Sequence, residues 1–326
     1  MKFPHRRQFL RCAAGAAALP TMSRFAWAQP YPTRPVRIIV GLAPGGTTDI
    51  LARLIGQWLS ERLGQPFIIE NRPGAAGNVA TEAVVNMRPD GYALLMVSST
   101  NVINATLYDK LNYNFIRDIT PVAAVAGVPL VMEVHPSVPA RTVPEFIAYA
   151  KANPGKISMA SAGIGNSTHM AAELFKMMAG VNLVHVPYRG AGPALADVVG
   201  GQVQGMFDGL PASIGYIRAG TVRALAVTTG ARLEVLPDLP TIGEFVPGYE
   251  ASAVNGIGAP KNTPAEIIEK LNGEINAALA DAKLKARLAD MGAPVLVGSP
   301  ADFGKLIAEE TEKWAKVVKF SGAKPG

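Results

Sequence analysis

The sequence predicts an α/β protein of two domains, each a mostly parallel sheet flanked by helices, with a ligand cleft between them. Three observations lead there. Strand-like and helix-like stretches alternate along most of the chain. The alternation occurs twice, on either side of a segment punctuated by Pro136, Pro139 and Pro144. Polar, glycine-rich turns recur at the carboxyl ends of strands in both halves. The chain has 326 residues, of which 49% are hydrophobic and 17% charged, a composition that supports two packed cores and excludes a disordered chain.

The apolar run Val36 to Val40 reads as a buried strand. Ile50, Leu51, Leu54, Ile55, Trp58 and Leu59 recur at helical spacing and predict a helix over residues 50–63, stopped by Gly64. Between strand and helix lies Gly41-Leu-Ala-Pro-Gly-Gly-Thr-Thr-Asp49, where Pro44, Gly45 and Gly46 bend the chain and Thr47, Thr48 or Asp49 can cap the helix. Unpaired first-turn N–H groups and the helix dipole both suit a small anion there. Phe67 to Glu70 reads as a second strand, Asn71 to Gly77 as a turn into a helix reaching about Met87, and Tyr92 to Val97 as a third strand ending in Ser98-Ser-Thr-Asn101. Val122 to Val134 reads as one or two strands.

The second half repeats the pattern. A helix is expected over Val143 to Ala152, a strand over Ile157 to Ala160, the polar turn Ser161-Ala-Gly-Ile-Gly-Asn-Ser-Thr-His169, and a helix over Met170 to Ala179. Strands follow at Leu183 to Val186, Val203 to Phe207 and Val222 to Thr228, with helices at Pro193 to Val199 and Ile214 to Ala219. A loop-rich return runs from Gly230 to Pro247. Three amphipathic helices, over residues 264–280, 282–291 and 300–320, are expected to pack back on the first domain. The domain division expected is 1–28 as an export signal, 29–131 plus 253–326 as domain 1, and 132–252 as domain 2.

The net charge is +6, but Lys2, Arg6, Arg7, Arg11 and Arg24 all lie in the first 28 residues, which hold no acid; without them the rest carries +1. No nucleic-acid footprint remains. Those 28 residues have the parts of an export signal: a basic start, a short apolar core from Cys12 to Leu19, and Ala26-Trp27-Ala28 before Gln29. Arg6-Arg7-Gln8-Phe9-Leu10 matches the twin-arginine pattern, and a general secretory signal is the alternative. Cys12 is the only cysteine, so the mature chain has no disulfide, cysteine-ligated metal or thiol nucleophile. No segment reaches the length of a membrane span, since the longest apolar run, Val122 to Met132, contains Pro129.

Ligands of open α/β sheets bind beyond the carboxyl ends of the strands. The turns there supply Gly45, Gly46, Thr47, Thr48 and Asp49; Ser99 and Asn101; Ser161, Gly163, Asn166, Ser167 and His169; and Asp208. Their donors are mainly backbone N–H, Ser, Thr and Asn, which hold a polar anion rather than transform it. Asp49 reads as a helix cap or a ligand neighbour, His169 as a pocket donor or a structural histidine, and Asp208 as an ammonium acceptor or a solvated turn aspartate. The three histidines after the leader, His135, His169 and His185, are far apart and lack metal-ligand spacing, so no metal and no cofactor is expected. Gly165-Asn-Ser-Thr-His169 is not a nucleophile elbow, Gly163-Ile-Gly165 lacks the last glycine of the dinucleotide fingerprint, and no phosphate-binding loop is present.

Nine segments then come in order: Tyr31-Pro-Thr-Arg-Pro35, Ala43-Pro-Gly-Gly46, Glu70-Asn-Arg-Pro-Gly74, Pro89-Asp-Gly-Tyr92, Ala172-Glu-Leu-Phe175, His185-Val-Pro-Tyr188, Arg223-Ala-Leu-Ala226, Leu236-Pro-Asp-Leu-Pro-Thr241 and Pro247-Gly-Tyr-Glu250. Together they resemble the Bug family, the solute receptors of tripartite tricarboxylate transport systems, from Tyr31 to about Gly322. The resemblance implies a type II-like periplasmic-binding-protein fold and a monomeric, exported, non-enzymatic receptor that closes on a small carboxylate. Dicarboxylates, tricarboxylates, amino acids and aromatic acids are the ligand classes implied, with a two-component membrane permease as partner. Carried onto this chain, the loop Gly45 to Asp49 grips one carboxylate, Ser161, Asn166, Ser167 and His169 contribute from the other domain, and Asp208 tunes the choice. One departure is Val254, where many relatives carry Trp before Asn255-Gly256. An exported enzyme acting on a carboxylate, or a ligand-reporting protein docking on a membrane sensor, are the alternatives.

Overall fold

A computed structural model describes residues 31–325, and the expected export signal lies outside the described residues. The chain opens with β1 (Val36–Val40), α1 (Thr47–Leu63), β2 (Phe67–Asn71), α2 (Asn78–Val85), β3 (Ala93–Ser98), α3 (Ser99–Leu107) and α4 (Phe115–Asp118). The strand β4 (Ile119–Val134) leads out of this part. Then come α5 (Val143–Ala152), β5 (Ser158–Ser161), α6 (Ser167–Ala179), β6 (Val184–Pro187), α7 (Ala191–Val199), β7 (Gly205–Gly209), α8 (Leu210–Arg218) and β8 (Arg223–Val227). The strand β9 (Ser252–Pro260) returns, and α9 (Ala265–Ala280), α10 (Ala282–Asp290) and α11 (Pro300–Ser321) complete the chain.

Local chemistry accounts for most of these bounds. Gly64 takes the left-handed conformation, with φ 70°, and its N–H closes α1 on Ser60 O. Thr142 caps α5 through Glu145 N–H, with Pro144 in the first turn. Asn166 caps α6 through Thr168 N–H, so that helix starts three residues before the expected Met170. Ser299 and Asp302 cap α11 reciprocally.

The strands form one curled, mixed sheet in the order β2-β1-β3-β9-β4-β7-β5-β6, with β8 also on β4. Parallel pairing holds for β2-β1-β3 and for β7-β5-β6, as the alternating pattern predicts. The centre differs from the mostly parallel sheets expected. β4 is one strand of 16 residues that pairs antiparallel with β9 from Ile119 to Pro129, then with β7 and β8 from Leu130 onward. A strand that leaves one half and a strand that returns to it necessarily run in opposite directions. Two register shifts, at Pro121/Ala123 and Ala124/Ala126, bend β4 along the way. β9 was not anticipated from the sequence, because Asn255, Gly256, Gly258 and Pro260 give it poor strand propensity; two flanking strands impose the conformation.

The main apolar core runs through both halves, from Ile38 and Leu51 to Phe175, Phe207 and Tyr249. Smaller clusters pack Leu195, Val198 and Met206 under α7, and Val131 under Leu210 and Ile214 of α8. The C-terminal helices only partly follow the expectation. α9 packs on β4 and α1, but α11 lies against α3, β4 and also α6 of the second half. Its Trp314 and Phe303 are buried, and the Phe303 ring occupies the space above Gly256 where a side chain would otherwise stand. Among the described residues, no helix is long and apolar enough to cross a membrane.

Candidate functional site

The polar turns of both halves meet around a cavity of about 40 Å³. Its wall from the first half comes from the β1–α1 and β3–α3 turns; the second half contributes the β5–α6 turn, Ala191 and Asp208-Gly209; Val128, Leu130 and Asn255 of the crossing strands form its floor.

On the first side, the earliest internal bond of α1 runs from Ile50 N–H to Gly46 O. The N–H groups of Thr47, Thr48 and Asp49 precede it, so α1 presents its positive end to the cavity. Gly46 is the N-cap and offers no side chain. Asp49 is neither N-cap nor free: its Oδ2 accepts from Gly45 N–H at 3.0 Å and Arg53 Nε at 2.9 Å, and its Oδ1 accepts from Arg53 Nη2 and Asn71 Nδ2, both at 2.9 Å. Burial pushes this carboxyl up, but the bonds from Arg53, Gly45 and Asn71 outweigh it and hold Asp49 below its ordinary range. The Gly45 amide is thereby spent on Asp49, and Gly45 lies outside the cavity lining.

Thr48 and Ser99 line the cavity with hydroxyls already tied to β9. Thr48 Oγ1 accepts from Asn255 Nδ2 at 3.3 Å, and Ser99 Oγ accepts from Val254 N–H at 2.9 Å. Val254 thus reaches the site through its backbone. Asn101 does not face the cavity. Its Oδ1 accepts from Ser98 N–H at 2.8 Å as the return half of a capping box, and its Nδ2 donates to Thr81 Oγ1 at 2.8 Å.

On the second side, Asn166, Ser167 and Thr168 line the cavity. Ser161, Gly163 and His169 do not. Ser161 Oγ lies 2.6 Å from His185 Nε2 and accepts from Gly163 N–H at 3.2 Å, while Gly163 faces a neighbouring cavity of about 210 Å³ beside Tyr188 and Arg189. His169 Nδ1 accepts from Gly165 N–H at 3.2 Å, and its ring stacks on His185 at 4.0 Å with 14° between planes. Burial first, then the neighbouring His185 and Lys176, lowers the His169 pKa to about 3, so the ring is neutral. Sequence position places Ser161 at the end of β5, Gly163 in the turn and His169 in the first turn of α6, but does not fix which of them face the cavity.

Asp208 sits in β7, 1% exposed, against the expectation of a turn after the strand. Its Oδ1 accepts from Gly209 N–H at 2.7 Å, and its Oδ2 accepts from Ser213 Oγ at 2.9 Å. Burial raises its pKa to about 7. The solvated-turn alternative is thereby excluded. Behind it stands Glu133 of β4, fully buried, with Oε1 2.9 Å from the same Ser213 hydroxyl. Sequence reasoning missed Glu133; a lone glutamate inside the apolar run Val122 to Val134 was the available signal. Thr100, Thr168 and Asn255 also line the cavity and were not among the expected site residues, although Thr100 and Thr168 lie inside the polar turns and Asn255 follows Val254.

The two sides touch directly. Thr47 Oγ1 donates to Gly209 O at 3.2 Å, Asn166 Nδ2 donates to Thr100 Oγ1 at 2.8 Å, and Ala43 N–H donates to Arg189 O at 2.9 Å. No lysine, arginine or histidine lines the cavity. Among the described residues, no group of three or more His, Cys, Asp or Glu side chains is placed to hold a metal ion.

Known proteins share this architecture. An R. palustris protein solved with adipate superposes with a TM-score of 0.88 at 40% identity, covering 91% of this chain and all 100% of that one. MatC from Rhodopseudomonas palustris, solved with bound malate, gives 0.85 at 34% identity, covering 88% of this chain and 100% of that one. Protein BugT of Bordetella pertussis is 37% identical over 300 residues, covering 91% of this chain and 92% of that protein. The tripartite tricarboxylate transporter family receptor pattern matches residues 51–322. Sheet topology, polar cleft and these likenesses converge: the chain belongs to the tripartite tricarboxylate transporter receptor family, alongside the Bug solute-binding proteins.

Proposed function

We propose that this protein is a periplasmic, monomeric receptor, not an enzyme, that captures a small dicarboxylate between its two halves and presents it to a two-component membrane permease. The observation that carries the reading is the cavity wall itself: helix-start N–H groups, hydroxyls and amides from both halves, with no side-chain cation. Such a wall recognises a carboxylate by hydrogen bonds and helix ends rather than by ion pairing. The relatives solved with adipate and with malate support a diacid of four to six carbons as the ligand of this reading.

In this reading the N–H groups of Thr47 and Thr48, together with the Thr48 hydroxyl, hold one carboxylate, and Ser99, Asn166, Ser167 and Thr168 take the other end. Gly45, Asn101, Ser161, Gly163 and His169 keep the turns in shape from behind. The halves are residues 29–131 plus 253–326 and residues 132–252, and they rock about β4 and β9 near Pro129 and Ser252, where the pairing changes hands. A cavity of about 40 Å³ has room for about three waters. A diacid therefore enters with the halves apart, and closure around it makes the form that the permease reads. Residues 1–28 serve as the export signal, by the twin-arginine or the general secretory route.

Calorimetry with adipate and malate tests the reading. Each bond to a charged carboxylate contributes about 1.5–3 kcal/mol, so Thr48→Ala and Ser167→Ala should each weaken binding about 10- to 100-fold. Absence of binding to both acids, or unchanged affinity in both variants, would remove the cleft from this role.

A further inference from the structure

Ser213 Oγ stands 2.9 Å from Glu133 Oε1 and 2.9 Å from Asp208 Oδ2. A hydroxyl has one hydrogen and can donate to only one of these oxygens. The other contact needs a proton on a carboxyl, so the arrangement itself calls for a protonated acid. Glu133 is the group that keeps it: the side chain is fully buried, and its second oxygen, Oε2, has no hydrogen-bond partner. A glutamate protonated on Oε1 donates to Ser213, and Ser213 donates to Asp208, whose Oδ1 is held by Gly209 N–H. Asp208 is the member of this chain that lines the ligand cavity.

We propose that Glu133, Ser213 and Asp208 form a proton-binding site under the cleft floor, so that a carboxylate ligand is captured together with one proton. The inference rests on the carboxylate-receptor reading above. With Glu133 permanently neutral, Asp208 is the one charge that changes. Ionised, it repels an anion in a cavity that holds no cation; protonated, it presents a neutral carboxyl. An incoming diacid therefore draws a proton from solvent onto Asp208.

The surrounding charges are committed elsewhere. Asp49 of α1 is held by Arg53, Arg218 of α8 pairs with Asp290, and Arg223 of β8 donates to the carbonyls of Pro136, Val138 and Ala140. Asp197 of α7 accepts from Tyr188, His135 beyond β4 bonds to Ser137, and His185 of β6 lies on Ser161. None of them neutralises the pair. Burial raises Asp208 to about 7 and, with the charge of Asp208, holds Glu133 well above the carboxylate range, in keeping with this order of protonation.

The test is calorimetry of adipate binding in buffers of different ionisation enthalpy, which counts protons taken up. At pH 8 the wild type should take up close to one proton, and at pH 6 close to none. Its affinity should fall about tenfold per unit above the Asp208 pKa. Asp208→Asn should abolish the uptake. Ser213→Ala removes a bond that favours the charged form and should move the fall in affinity to higher pH. Glu133→Gln, which mimics the neutral donor, should keep the uptake. Adipate binding with no proton uptake at pH 8 would overturn the inference and leave the receptor intact. If adipate does not bind, the ligand-free protein decides. A raised Asp208 pKa contributes stability that is lost as pH rises from 3.8 to about 7, so the stability of the wild type relative to Asp208→Asn should fall across that range, and a difference independent of pH overturns the inference independently of the receptor reading.

Discussion

His169 shows how far one residue's role depends on its surroundings. It begins a helix beside three cavity-lining residues, yet Gly165 N–H, the His185 ring and burial turn it into a neutral packing group. Its lowered pKa has a defined consequence for stability. The unfolded chain binds a proton near pH 6.5 and the folded chain only near 3, so stability is fully present above 6.5 and drains as pH falls between these values. His185, also lowered chiefly by burial, adds in the same direction. The raised carboxyls of Asp208 and Glu133 act in the opposite direction over the same range, so the histidine share is read by difference: from pH 7 to pH 4 the wild type should lose thermal stability relative to His169→Gln. An equal pH dependence in the variant would contradict the assignment.

At the scale of elements, the β1–α1 turn is held less by its helix cap than by Asp49. One carboxylate ties Gly45, Arg53 and Asn71, and so joins the loop, α1 and the end of β2. Arg53 is half exposed, which discounts its share. Asp49→Ala should cost about 1–2 kcal/mol in chemical denaturation, after that discount, and should weaken adipate binding by loosening the loop. A change below experimental error would show that the turn holds without it. Helix α5 was legible residue for residue, because Thr142, Pro144 and an amphipathic run signal its start. The starts of α6 and α8 were not, since Ser167 and Leu210-Pro211 read as turn residues until their caps are seen. β9 was illegible for a different reason: its strand character is supplied by β3 and β4, not by Gly256 and Gly258.

For the whole molecule the governing event is the meeting of the two halves, and glycine permits it at two points. A side chain on Gly192, in the first turn of α7, would run into the Pro44 carbonyl, and one on Gly209 would run into Thr47. Gly192→Ala therefore props the cleft open without touching a ligand. Overpacking of this kind costs about 1–3 kcal/mol, so adipate should bind about 5- to 150-fold more weakly, while the helix itself gains from alanine. Small-angle scattering checks the cause: the wild type should contract on adding adipate, and the variant should contract less. Equal contraction would place closure elsewhere.

Taken by itself, the sequence determined the alternation of strand and helix, the repeated halves, the polar turns at strand ends and the ordered family segments. These are local properties, set by periodicity, turn chemistry and capping over a few residues. Only the tertiary structure decided which turn residues face inward, that β4 and β9 carry the chain between halves, and that Glu133 and Asp208 share one hydroxyl. Those outcomes depend on side chains far apart in sequence coming within hydrogen-bond reach in a desolvated interior, and the apolar pattern around Glu133 encodes its burial but not its partner.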